Sequence, residues 1–183
     1  MIPGPTQRLY FRVPRENQAA FILRLVNSPG WLKYIGDRKV YSMADAKQYI
    51  RSRILGDFQR ESTGLFEVRL KSNDRPIGLC GLLKRDFLPA PDIGFALLPE
   101  YAGAGYAYEA AHQIINWSFE EQNLPTILAI TLEENLRSRK LLTRLGMKLK
   151  PEKVKEPGQE PLLLYSLSNP TCQHVRNEEI EQR

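Results

Sequence analysis

The run Pro99-Glu100-Tyr101-Ala102-Gly103-Ala104-Gly105-Tyr106-Ala107-Tyr108-Glu109-Ala110-Ala111 joins an apolar strand-like segment, Ile93 to Leu98, to an apolar-periodic helix from Gly105 to Glu121. Strand, small-residue loop and helix in that order gather backbone N–H groups at the positive end of a helix dipole, and such a spot binds phosphate. A Walker loop needs Lys and Ser or Thr after its last glycine, and Tyr106 and Ala107 stand there instead. A dinucleotide fingerprint needs a small third residue where this chain has bulky Tyr108, although Glu133 and Glu134 after the next strand satisfy its acidic requirement. The remaining alternative is a tight strand-to-helix turn without a ligand.

A second segment carries more weight. Asn135-Leu136-Arg137-Ser138-Arg139-Lys140-Leu141-Leu142-Thr143-Arg144-Leu145-Gly146-Met147 opens on a helix-capping residue and closes on a helix-stopping glycine. Together the two segments resemble the acyl-CoA-dependent N-acetyltransferases of the GNAT superfamily, and more narrowly the branch that acetylates ribosomal-protein N-termini. The family's Gln/Arg-x-x-Gly-x-Gly/Ala loop is matched by Ala102 to Ala107 at Gly105 and Ala107. Its Asn-x-x-Ser followed by Leu-Gly is matched at Asn135, Ser138, Leu145 and Gly146. Asn27 to Arg38 also looks like this branch, and the likeness runs in order from about Gln7 to Leu167.

The resemblance implies acetyl-CoA as co-substrate. Ala102, Gly103, Ala104, Gly105, Tyr106 and Ala107 would hold its pyrophosphate. A bulged strand, Phe95, Ala96, Leu97 and Leu98, would offer backbone N–H groups to the thioester oxygen, with Leu98 the preferred donor. Asn135 is either a cofactor contact or a helix cap, and Ser138 follows one turn later on the same helix face. Two departures stand out. Ala102 replaces the usual polar residue of the loop. Leu142 stands where many members place a tyrosine that protonates the leaving thiolate, so Ser138 becomes the candidate for contacting the sulfur. Asp92, opening the strand before the loop, is the expected base; Glu67 is the second acidic candidate on the acceptor side. Trp31 and Tyr34 are candidates for lining the acceptor pocket, with ordinary packing the competing role for Trp31.

The 183 residues suit one domain, expected over 1–170, with a polar tail over 171–183. A chain this long buries roughly 70% of its unfolded surface, enough for a core without staples. Cys80 and Cys172 form no Cys-x-x-Cys pair, and His112 and His174 are the only imidazoles, which argues against disulfide and metal frameworks. No apolar run approaches the ~20 residues of a membrane span, and no signal-peptide pattern opens the chain, so the expectation is a cytoplasmic protein without a membrane partner. The net charge of +5 is interspersed with acidic residues, and no aromatic-basic stacking motif points to nucleic acid. The densest basic cluster, Arg137, Arg139, Lys140, Arg144, Lys148 and Lys150, is either a face for the 3′-phosphate of coenzyme A or a solvated helix face.

Alternating and helical periodicities predict strands over 7–13, 65–70, 77–84, 92–98, 126–131, near 147–150 and over 162–167. They predict helices over 15–27, from a Ser42–Asp45 start to about Leu55, over 105–121, and after Asn135. The stretches 28–42 and 151–160 read as a loop and a link that shape the acceptor pocket. The expected class is α/β: a mixed, mostly antiparallel sheet flanked by helices. The resemblance implies a V-shaped splay between the fourth and fifth strands. The function expected is acetyl transfer to a primary amine, which could be a protein N-terminus, an amino acid or a small amine, by direct attack in a ternary complex. The competing reading is a catalytically silent acyl-CoA-binding module. A homodimer would be typical of similar proteins.

Overall fold

In the computed structural model, residues 1–61, 63–155 and 160–171 are described. The expected tail beyond Thr171, with Cys172 and His174, lies outside them, as does part of the 151–160 link.

Leu9 and Phe11 alternate with polar neighbours and form β1 (Leu9–Arg12), with both apolar side chains buried. Three short helices follow: α1 (Ala19–Val26), α2 (Pro29–Tyr34) and α3 (Met43–Tyr49). The sheet then continues as β2 (Leu65–Leu70), β3 (Pro76–Leu83) and β4 (Asp92–Leu97). All three contacts from β1 to β4 are antiparallel.

The segment read as a loop after Asn27 contains α2. Ser28-Pro29-Gly30 stops α1, but a serine before a proline at the first helical position also starts a helix, and Pro29 takes that position. The following helix runs past Leu55. A π-helical turn (Ile50–Ile54) joins α3 to α4 (Leu55–Glu61). Ala46, Ile50 and Ile54 are all buried, and their spacing of four drifts off one face of a 3.6-residue helix. The wider turn brings Ile54 back to the core. The Ser42 start behaves as predicted: its hydroxyl accepts from the Asp45 N–H, and the Asp45 carboxylate answers the Ser42 N–H in a capping box.

After β4 come α5 (Tyr106–Glu120), β5 (Thr126–Thr131), α6 (Leu136–Arg144), β6 (Lys148–Val154) and β7 (Leu162–Ser168). β6 extends four residues into the segment expected to be a link. The seven strands lie in the order β1-β2-β3-β4-β5-β7-β6, mostly antiparallel with a parallel β4–β5 pair. This is the mixed sheet anticipated.

Register divides the two faces. Glu67, Leu79 and Ala96 lie opposite one another on one face, and Phe66, Cys80 and Phe95 on the other. Leu79 and Ala96 pack with α1, α3 and the π-helical turn, including Ile22, Leu25, Ala46 and Ile50. Phe66 and Cys80 pack against α5, whose Ala110 and Ala111 allow a close approach to the sheet. Edge-on rings tie the layers together: Phe66 meets Phe58 of α4 at 4.9 Å and Trp117 of α5 at 5.7 Å.

Candidate functional site

The parallel pair β4–β5 is joined in register only at Asp92 opposite Leu128. Beyond that point the strands diverge toward their C-terminal ends, and a V opens between Leu97 and Thr131. A cleft of about 2000 Å³ runs through it, from α2 and the π-helical turn on one side to α5 and α6 on the other. Ligands of α/β sheets bind where strand ends part in this way.

Two expectations about β4 are corrected here. The β3–β4 ladder is unbroken from Leu83 opposite Asp92 to Gly78 opposite Leu97, so β4 carries no bulge. The Leu98 N–H is also not free: it donates to the Ile77 carbonyl at 2.9 Å. In an antiparallel ladder, hydrogen-bonded and non-bonded pairs alternate. The Leu98–Ile77 pair therefore sets Ala96 and Gly94 toward β3, and turns the N–H groups of Phe95 and Leu97 toward the open V. The alternation of side chains in the sequence cannot show which neighbour each N–H faces.

At the mouth of the V, a 3₁₀ turn (Pro99–Tyr101) leads into the small-residue loop. Gly103 and Gly105 hold φ of +84° and +81°, a region that side chains other than glycine rarely occupy. Gly105 is the N-cap of α5, and the first intrahelical bond runs from the Glu109 N–H to its carbonyl at 3.1 Å. The N–H groups of Tyr106, Ala107 and Tyr108 thus precede the first helical bond, and a glycine cap has no side chain to satisfy them. Ala102, Gly103, Gly105 and Ala107 line the cleft. Ala104 and Tyr106 instead meet Arg8, whose guanidinium donates to the Ala104 carbonyl at 3.0 Å and lies 4.3 Å above the Tyr106 ring.

Across the V, α6 begins at Asn135, whose Oδ1 accepts from the Ser138 N–H at 3.1 Å. Asn135 is therefore a cap, and both it and Ser138 line the cleft. The basic cluster divides. Arg137, Lys140 and Arg144 face the cleft, at helical spacings of three and four, and Arg144 stacks over Tyr108 at 4.2 Å. Arg139 bonds the Glu133 carbonyl, and Lys148 and Lys150 sit on exposed β6. Leu142, in place of the frequent tyrosine, is buried in the core.

On the other side of the cleft, Asp92 is 2% exposed and accepts from Arg85 Nε at 2.9 Å. Gly94, next on the same face of β4, leaves the floor open between Asp92 and Ala96. Trp31 and Tyr34 of α2 line the cleft; Trp31 is also packed in the helical core, and among the described residues its Nε1 has no hydrogen-bond partner. Tyr49, Arg53 and Asp57, around the π-helical turn, join them there with Arg38. Burial pushes the Tyr49 phenol up. Arg38 falls in the 28–42 stretch expected to shape the pocket, whereas Tyr49, Arg53 and Asp57 had no signal in the sequence beyond the four-residue apolar spacing beside them.

Glu67 does not reach the cleft. It is buried beside Arg69, which also binds the Tyr10 hydroxyl at 3.1 Å and Asp74 at 3.0 Å. Burial raises the Glu67 carboxyl, and the Arg69 hydrogen bond opposes that rise. Burial also pushes the Cys80 thiol far up, so it is a core residue and not a nucleophile. Among the described residues no cluster of His, Cys, Asp and Glu is suited to a metal, and no helix is long and apolar enough to cross a membrane.

Residues 8–148 match the family profile described as acetyltransferase (GNAT) domain. The chain is 28% identical over 143 residues to the uncharacterized N-acetyltransferase YnaD of Bacillus subtilis, spanning 78% of this chain and 81% of that one. Among solved structures, an acetyltransferase from Agrobacterium tumefaciens superposes with a TM-score of 0.77 at 23% identity, over 91% of this chain and 94% of the other. RimL, a ribosomal L7/L12 alpha-N-protein acetyltransferase in complex with coenzyme A, superposes at 0.76 with 14% identity, over 92% and 98%.

Proposed function

The chain belongs to the GNAT acetyltransferase family, and on that basis we propose that it transfers the acetyl group of acetyl-CoA to a primary amine by direct attack in a ternary complex. The observation that carries this reading is the V itself: a gap between β4 and β5 with uncommitted helix N–H groups at its mouth. The pyrophosphate lies against the Gly103–Ala107 backbone at the positive end of α5. Arg137, Lys140 and Arg144 meet the 3′-phosphate. Pantetheine runs along the gap past the Leu97 N–H, and the thioester oxygen, deeper in the V, accepts from the N–H of Phe95.

The acceptor enters past Trp31, Tyr34 and Tyr49. Its neutral nitrogen attacks the thioester carbon, forming the C–N bond. The tetrahedral intermediate collapses, the C–S bond breaks, and the electron pair leaves with sulfur, toward which Ser138 donates a hydrogen bond. The amine proton passes to Asp92. Strands rise about 3.3 Å per residue, so Asp92 and Phe95 lie roughly 10 Å apart along β4, and a water over Gly94 bridges the remaining distance. A protein N-terminus, an amino acid and a small amine all present the required nucleophile.

Asp92→Asn keeps the shape and removes the proton acceptor. We expect kcat to fall by about 10²-fold with acetyl-CoA affinity unchanged, followed as thiol release with a responsive amine. An unchanged kcat would remove Asp92 from the reaction. Acetyl-CoA binding without transfer to any amine of a broad panel would leave the silent-module reading.

A further inference from the structure

The loop at the mouth of the V presents a specific problem. Ala102 gives it no polar side chain, and Gly103 and Gly105, both at positive φ, have none to fix its shape. Glycine peptides turn easily, yet anion binding requires their N–H groups to stay aimed at one point. The fixture comes from Arg8, just before β1 and 96 residues earlier in the chain.

Glu109, in the first turn of α5, accepts from the Thr6 hydroxyl at 2.5 Å, the Arg8 backbone N–H at 2.8 Å and Arg8 Nε at 2.6 Å. Burial would raise its carboxyl, but these hydrogen bonds prevail and hold it below the usual range. The Arg8 guanidinium is thereby anchored at one edge. Its Nη1 reaches the Ala104 carbonyl at 3.0 Å, and its plane stacks 4.3 Å over Tyr106. Arg8 does not line the cleft, whereas Gly105 does. In a trans peptide the C=O and the following N–H point in opposite directions. Holding the Ala104 carbonyl toward Arg8 therefore turns the Gly105 N–H the other way, to the cleft side.

We propose that Arg8 is a positioning residue for acetyl-CoA: it locks the Ala104–Gly105 peptide so that the loop presents its N–H to the pyrophosphate, and stands behind the loop as the cation that Ala102 does not supply. The proposal rests on the acetyl-CoA reading above. Lysine cannot replace it, because only the planar fork reaches Glu109 and the Ala104 carbonyl together.

The test is the affinity of Arg8→Ala for two ligands: acetyl-CoA by calorimetry, and S-acetylpantetheine, which has the thioester but no pyrophosphate, by ligand-observed NMR. We expect acetyl-CoA to bind at least tenfold more weakly and S-acetylpantetheine to bind as it does to the wild type. Arg8→Lys, which keeps a charge beside Glu109, shows the same split and serves if Arg8→Ala does not fold. Unchanged acetyl-CoA affinity, or equal weakening of both ligands, overturns the proposal. A wild type that binds no acetyl-CoA overturns the cofactor reading itself.

Discussion

Gly105→Glu is expected to remove measurable acetyl-CoA binding from a protein that remains folded. A Cβ at this position meets only the tip of Arg8, at 3.5 Å, an ordinary contact at the end of a flexible side chain. The fold therefore loses little beyond the strain of a side chain at φ +81°, about 1–2 kcal/mol. Binding is affected differently. The substitution sets a carboxylate beside the N–H groups that await a phosphate and opposes the charge of the incoming ligand. Gly105→Ala carries the same strain without the charge and should weaken binding less. The pair separates electrostatics from backbone geometry. Equal affinities for Gly105→Glu and the wild type, each shown folded by circular dichroism, would mean that the pyrophosphate lies elsewhere.

Gly78→Ala is expected to cost about 3 kcal/mol of stability, seen as a lower denaturation midpoint in urea. A Cβ on Gly78 would fall 2.3 Å from the Ala96 carbonyl oxygen and 3.0 Å from Leu97 Cα. Both atoms are backbone, so no rotamer change relieves the clash and β4 itself must shift. β4 has β3 on one side and the open V on the other, so it yields toward the cleft and carries the Phe95 and Leu97 N–H groups out of place. Binding and stability fall together. Gly30→Ala is the matching control: nothing lies within 4 Å of its Cβ, and it sits in α2 at an ordinary φ. It should leave the midpoint within about 0.5 kcal/mol of the wild type or raise it. A Gly78→Ala midpoint equal to that of Gly30→Ala would contradict the β3–β4 packing described above.

The parts of the site that depend on local order were legible in the sequence. A strand ending at Leu98, two glycines and an apolar-periodic helix could form only a strand-loop-helix turn, and Asn135 and Gly146 bracket α6 as cap and stop. What escaped depends on which chain segments become neighbours. Ser28-Pro29 reads equally as an end and a beginning, and the core beneath Trp31 selects the helix. Side-chain alternation does not reveal which strand each N–H faces, so nothing in the sequence sets aside Leu98, the donor that the family resemblance implies, although its N–H is bound to Ile77. Glu67 alternates like any acidic strand residue, but register sets it opposite Arg12 and beside Arg69, away from the cleft. Arg8 gave no local signal, because its partners Ala104 and Glu109 come to it only once α5 is packed near β1.

The most direct test of the acetyl-CoA reading is calorimetric titration of acetyl-CoA into the wild-type protein. The account predicts saturable binding at one site per chain, with an affinity that weakens as salt rises, because the contacts with pyrophosphate and 3′-phosphate are between charges and dipoles. Absence of heat at ligand concentrations far above those that saturate related enzymes, in protein shown to be folded, would contradict it.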